Sequence, residues 1–220
     1  MAAPLSGSSL LLAGSLCFLP FIVPYHQLPI LSFHAEWLAG ALGVLALALA
    51  LADRGSELVA VPVAARWLIG FALLLALRGL GGDPAYPQIP LWAVVYAIYA
   101  VLMLWLGAQL AAAHGVERTV LVLASFILAG ALANAAVGLI QFYGRPVWLE
   151  DLVAGLWVTR AYGNIAQPNL YANYLALGQA ALLLLWARGQ IGTLPTLAAA
   201  ALLVCGGALA VSRSTVLYPL

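Results

Sequence analysis

Lysine is missing from this 220-residue chain, and all eight basic residues are arginine, at positions 54, 66, 78, 118, 145, 160, 188 and 213. Charge of either sign is sparse: charged residues make up 7% of the chain, where a soluble domain carries about a quarter. A net charge of +1 leaves neither a basic surface for nucleic acid nor an acidic tail. Cysteine is equally scarce. Cys17 and Cys205 both fall inside apolar runs, far from any C-x-x-C spacing, so neither a disulfide framework nor a zinc site is suggested and both read as small packing residues. No metal and no cofactor are expected. Soluble domains, low-complexity linkers and repeats of fixed period are also lacking.

What fills the chain instead is apolar residue, 65% of the total, with a mean hydropathy of +1.08. That composition belongs to an integral membrane protein. Runs long enough to cross a bilayer, each roughly 17 to 24 residues, are placed at 8–24, 36–52, 63–80, 91–113, 119–142, 170–187 and 194–212. The fold class expected is all-α, a polytopic transmembrane bundle of about seven spans forming one domain over residues 1–220, with 143–169 as an outer loop. The first run has no basic n-region and no small residue before Cys17 in "GSLC", so it reads as a span and not as a cleaved leader. Turn residues punctuate the connections: "DRGSE", "GGDPAYPQIP", "HGVER", "RGQIGTLP".

Arginine does not orient this bundle. With alternate loops on opposite sides, Arg54, Arg66, Arg118 and Arg188 fall on one side and Arg78, Arg145, Arg160 and Arg213 on the other. An anion site would account for arginine on the outer side, and so would an arginine-rich proteome.

The longest loop, "YGRPVWLEDLVAGLWVTRAYGNIAQPN", holds Arg145 and Arg160 beside the acidic pair Glu150 and Asp151. Its "WLEDLVAGLW" portion has apolar residues near helical spacing, which predicts a short helix lying at the interface, with Trp148 and Trp157 available as belt anchors. Pro168 suits the first turn of the next helix, with Gln167 as its cap, and the open end of such a helix attracts phosphate. Asn169 and Asn173, four apart, share a face of that helix, while Tyr171 and Tyr174 share a neighbouring one. A polar face in lipid is expected to turn inward, either to glue helices together or to line a site. In the preceding span, Gly130, Asn134 and Gly138 recur every four residues and Gln141 follows. The glycines predict close packing, and Asn134 reads as interhelical glue. Gln109 and Gln179 read as satisfied polar residues near span ends. At the end of the last span, "GGALAVSRST" brings Arg213 among Ser212, Ser214 and Thr215. An arginine near a bilayer snorkels to the headgroups or serves a function, and its planar fork meets phosphate oxygens in two places at once.

"RAYGNIAQPNLYANYLAL" together with "SRST" resembles the bacterial O-antigen ligase and protein O-oligosaccharyltransferase superfamily, and particularly the pilin-type protein glycosylation ligases. Their short signature runs arginine, small residue, aromatic, then "GNIAQPN". A looser likeness lies in "PYHQLPILSFHAEWLAG", through His26, Pro29, Phe33, Glu36 and Trp37. The resemblance implies a multi-pass bacterial inner-membrane glycosyltransferase. It would take a glycan from undecaprenyl pyrophosphate on the periplasmic side and join it to Ser or Thr of a pilin-like protein, or to lipid A core. Such displacement at an anomeric carbon needs stabilisation of the leaving pyrophosphate and a base for the acceptor hydroxyl. The residues expected to bind substrate are Arg160, Tyr162, Asn164, Gln167, Asn169, Asn173 and Arg213, with His26, His34 and Arg145 as further candidates. No base is assigned. Family ligases continue through more spans and a large periplasmic loop bearing a catalytic His, so the chain reads as the N-terminal portion of a longer ligase, with its base beyond Leu220. A lipid-linked O-antigen polymerase would share most of this layout. A transporter would call for internal repeats, and a structural subunit would leave the polar cluster without a role.

Overall fold

A computed structural model describes residues 7–26, 30–54, 58–81, 88–156 and 158–211, apart from the side chains at positions 54 and 80. Pro29, Trp157 and Arg213 lie outside the described residues. Within them the chain is helical and contains no strand: α1 (Ser8–Leu16), α2 (Leu19–Ile22), α3 (Phe33–Arg54), α4 (Val63–Gly81), α5 (Gln88–His114), α6 (Val116–Tyr143), α7 (Pro168–Ala187) and α8 (Thr193–Leu209). Four helices are long and apolar enough to cross a membrane: α3 through Asp53, α5, α6 and α7. The α1–α2 run and α8 are apolar but shorter. The seven spans placed from the sequence are therefore not matched in number by this measure.

The first apolar run, expected as one span over 8–24, breaks at Cys17–Phe18 into α1 and α2. Pro20 lies just beyond the break and supplies the reason. It has no N–H for the helical ladder, and its ring would collide with the carbonyl of Leu16. Among the described residues the helix expected from "WLEDLVAGLW" is absent as well. Only a 3₁₀ turn at Val147–Leu149 forms, followed by a turn closed by the Val153 N–H on the Leu149 carbonyl at 2.9 Å. The carbonyls that a longer helix would need are taken by side chains, as described below.

Helix ends follow local chemistry. Pro168 opens α7 at a position where no backbone N–H is required. At the other end Gly189 adopts φ 66°, and its N–H reaches the Trp186 carbonyl at 2.9 Å while the Gln190 N–H reaches Leu185 at 2.8 Å. This pair of bonds is a Schellman cap, which needs a residue tolerant of the left-handed region.

Contacts group the helices into two compact units. In one, α4 packs against α5. Its buried Gln109 donates to the Val59 carbonyl at 2.9 Å and accepts from the Val59 N–H at 3.3 Å, and Trp105 Nε1 donates to the same carbonyl at 2.8 Å. Both halves of the Gln109 amide are thus satisfied inside the unit. The second unit contains α2, most of α6, the 144–167 segment, α7 and α8, and α7 packs on α8. Its core runs through Ala131, Ala135, Tyr171, Tyr174, Leu175 and Leu203.

Small residues set the spacing of this second core. A Cβ added at Gly178 would overlap the Cβ of Ala131, and one at Gly206 would lie 3.1 Å from the Ala135 backbone. Ala131 has no rotamer with which to yield, so relief would require α6 and α7 to separate. Gly178→Ala is expected to lower stability in detergent micelles by ~1–3 kcal/mol, the usual cost of overpacking. Gly70→Ala, where nothing lies within 4 Å, should leave stability unchanged or raise it by ~0.5–1 kcal/mol. Thermal unfolding of the two variants in parallel tests the difference.

Candidate functional site

The segment between α6 and α7 is held by three buried side-chain amides. Asn134 and Gln141 lie seven residues, or two turns, apart on α6 and share a face. Asn134 Nδ2 donates to the Phe21 carbonyl at 2.9 Å and to Gly130 at 3.1 Å, and its Oδ1 accepts from the Asn164 N–H at 3.0 Å. Gln141 Nε2 donates to Ala154 at 2.8 Å and Gly163 at 3.2 Å, and its Oε1 accepts from the Tyr162 N–H at 3.0 Å.

Asn164 completes the set from the loop side. Its Nδ2 donates to Ile22 at 3.0 Å and Leu152 at 2.8 Å, and its Oδ1 accepts from the Ala154 N–H at 2.9 Å. Asn134 is 0% exposed, Asn164 3% and Gln141 4%, so water competes for none of these bonds. A polar group buried without a partner costs about 1–3 kcal/mol, and here each amide meets donors with acceptors and acceptors with donors. The loop backbone is thereby fixed although it forms almost no regular structure.

Other contacts tighten the same loop. Arg145 Nη1 donates to the Val153 carbonyl at 2.7 Å and to Glu150 at 3.3 Å, and its Nη2 lies 3.7 Å from the Glu150 carboxylate. The Tyr162 hydroxyl donates to the Gly155 carbonyl, and the Ala161 N–H donates to Leu209 at the end of α8 at 3.0 Å. Gly163 has φ 56°, and a Cβ there would lie 2.6 Å from Asn134 Oδ1 and 3.0 Å from the Tyr171 ring, so only glycine fits this turn. Ala166, three residues on, holds φ 65°, a conformation that costs a non-glycine residue roughly 1–2 kcal/mol.

His26 joins the first loop to this assembly. Its Nε2 lies 3.1 Å from the Asn164 carbonyl and its Nδ1 lies 2.9 Å from the Leu31 carbonyl. His34 is exposed and stands edge-on to Phe33 and Tyr25, with ring centroids 5.4 and 6.3 Å apart.

The residues expected to bind substrate thus separate into three groups. Tyr162, Asn164 and Arg145 are occupied in shaping the loop, and His26 is anchored to it. Gln167, Asn169 and Asn173 are exposed along the start of α7, where Gln167 makes no side-chain capping bond. Arg160 is partly exposed, and among the described residues its guanidinium has no hydrogen-bond or ion-pair partner. Arg213 lies outside the described residues.

The inward turn expected for Asn169 and Asn173 is not found, because Tyr171 and Tyr174 take the inward face of α7. Tyr174 stacks on Phe21 with centroids 4.2 Å apart and donates its hydroxyl to the Cys17 carbonyl at 2.6 Å. Tyr171 fills a recess beside Gly138, Gly163 and Gly206, where its hydroxyl is buried without a partner among the described residues. Gln141 is the residue whose contribution is largest relative to its weight in the sequence. Its signal in the sequence is its place on the small and polar stripe of α6, which by itself assigns it no role. An apolar groove between α4 and α5, lined by Ile69, Leu73 and Ile98 among others, offers no polar group to orient a ligand.

No protein-family model, curated protein or solved structure matches the chain.

The arrangement places the Arg160 guanidinium, which has no partner among the described residues, and the exposed Gln167, Asn169 and Asn173 near the start of α7, on a loop whose shape is set from beneath. Three substitutions test that division of labour. Asn164→Ala should destabilise the protein most, since it strips partners from Ile22, Leu152 and Ala154. Tyr174→Phe should cost about 0.5–1.5 kcal/mol for its one hydrogen bond, and Tyr171→Phe should be neutral or stabilising. Thermal unfolding in micelles ranks the three, and a large loss in Tyr171→Phe would contradict the packing assigned to it.

Proposed function

We propose that this chain is a multi-span glycosyltransferase of the bacterial inner membrane, of the O-oligosaccharyltransferase and O-antigen ligase type. It binds undecaprenyl pyrophosphate carrying a glycan, and its site faces the periplasm. Acceptors are Ser or Thr of a pilin-like protein, or lipid A core. The helix-forming segments between residues 8 and 209 supply up to seven crossings on this reading, with the α1–α2 run and α8 as short spans.

The observation that carries the proposal is Arg160. A guanidinium with no partner among the described residues, on a loop held by many internal bonds, is suited to an external anion, and its two-pronged geometry matches phosphate. Gln167 and Asn169, just beyond the turn at Ala166, lie where further polar contacts to the same anion would form. The positive end of the α7 dipole adds to the preference for negative charge. As the glycosidic bond breaks, charge builds on the departing pyrophosphate, and a fixed cation there lowers the barrier without reorganisation.

The acceptor hydroxyl must lose a proton to a base. Both ring nitrogens of His26 face backbone carbonyls. On this proposal His26 has a part in holding the loop and none in taking the proton. His34 is exposed but stands among aromatic rings. The reaction's base is therefore not assigned to either.

Charge-assisted hydrogen bonds contribute ~1.5–3 kcal/mol. Arg160→Ala should therefore weaken binding of undecaprenyl pyrophosphate roughly 10- to 150-fold with normal membrane insertion, and Arg160→Lys should recover part of the loss. Binding is measured in micelles and glycan transfer in membranes. Unchanged binding and transfer in Arg160→Ala would overturn the proposal. So would labelling of Arg160→Cys by an impermeant maleimide from the cytoplasmic side alone.

A further inference from the structure

The loop between α6 and α7 has two unlike faces. One is the polar underside bound by Asn134, Gln141 and Asn164. The other is apolar and bare: Tyr143 is 77% exposed, Val147 80%, Trp148 79% and Leu152 63%. We infer that this outer face is a docking surface for the bilayer itself, with Val147, Trp148 and Leu152 inserted at the boundary between headgroups and acyl chains.

Three observations point to lipid as the occupant. First, α6 and α7 are both long and apolar enough to cross a membrane, and they are consecutive spans. The segment joining them leaves and re-enters the membrane on the same side, so it lies at that boundary. Second, its backbone is ready for a poorly hydrated setting. The carbonyls of Glu150, Leu152, Val153 and Ala154 and the N–H of Ala154 are bonded to side chains of the same unit. An irregular segment can approach hydrocarbon only when such groups are satisfied internally. Third, α3 follows the first loop, which is joined to this one through His26, and its start carries exposed Phe33 and Trp37 close together, with ring centroids 6.4 Å apart. Exposed aromatic rings clustered at the end of a span are the pattern of an interfacial belt.

Charge sets the mode of docking. Residues 143–156 hold Arg145 against Glu150 and Asp151, a net charge of −1, so attraction to anionic headgroups does not drive it. Insertion is by apolar burial, and anionic lipid should not deepen it. The inference needs α6 and α7 to cross the membrane and is independent of the anion site proposed for Arg160.

The test is spin-label accessibility of the full chain in nanodiscs of phosphatidylcholine, with and without phosphatidylglycerol. A nitroxide is placed at Trp148→Cys and, separately, at Leu152→Cys, in a Cys17→Ala, Cys205→Ala background. Leu177→Cys on the exposed face of α7 calibrates lipid, and Gln190→Cys in the exposed α7–α8 turn calibrates water. The expected result at both loop positions is collision with dissolved oxygen several-fold favoured over a water-soluble nickel chelate, relative to Gln190→Cys, and unchanged by phosphatidylglycerol. Chelate access equal to that at Gln190→Cys would overturn the inference. An immobilised label shielded from both reagents would also overturn it, because a protein partner would then cover this face. Leu152→Cys decides the outcome if Trp148→Cys does not fold.

Discussion

Backbone hydrogen bonding in an apolar setting is the constraint on which the second unit depends. A helix meets it internally, whereas the described residues between Tyr143 and Pro168 form no helix beyond the 3₁₀ turn at Val147–Leu149. The N–H groups of Ala154, Tyr162 and Asn164 and the carbonyls of Glu150, Leu152, Val153, Ala154 and Gly163 are bonded to the side chains of Asn134, Gln141, Asn164 and Arg145. The amide side chain suits this role because it offers donors and an acceptor without charge, so it can be fully buried. Polar residues in this greasy chain are thus concentrated where the backbone leaves regular structure.

The same network explains how a site can exist on an irregular loop. The turn from Ala161 to Gln167 is held from below by α6, from the side by the Leu209 carbonyl and from the N-terminal segment by Ile22 and His26. Fixing the backbone in this way removes the ordering entropy that a ligand would otherwise have to overcome. It also separates structural from available polar groups. Asn164 and Tyr162 shape the loop, and the Arg160 guanidinium has no partner among the described residues.

Packing in this unit rests on pairing large rings with absent side chains. Tyr171 and Tyr174 project toward α6 at positions where Gly138 and Gly130 leave space, and Gly178 answers Ala131 from the other direction. Helices in lipid gain little from hydrophobicity against one another, so close contact of this kind and interhelical hydrogen bonds hold them together. Displacing one partner moves whole helices, which is why a single methyl group matters at Gly178.

Composition and apolar run length sufficed to establish the all-helical class and the approximate position of the helices, because those properties follow from backbone satisfaction and depend little on neighbours. The glycine spacing on α6 and the buried role of Asn134 were legible for the same local reason. The sequence could not show which of many amides would turn inward. That choice belongs to the recesses left by Gly130, Gly138 and Gly206, which come from two different helices and admit tyrosine, so Asn169 and Asn173 face outward. Nor could it show that "WLEDLVAGLW" forgoes a helix, since the competing partners, Gln141 and Asn164, flank it from outside the segment. Sequence alone determined what must be buried and what must be helical; tertiary structure decided which polar groups are spent on the fold and which stay exposed, because that division depends on distances between residues remote in the chain.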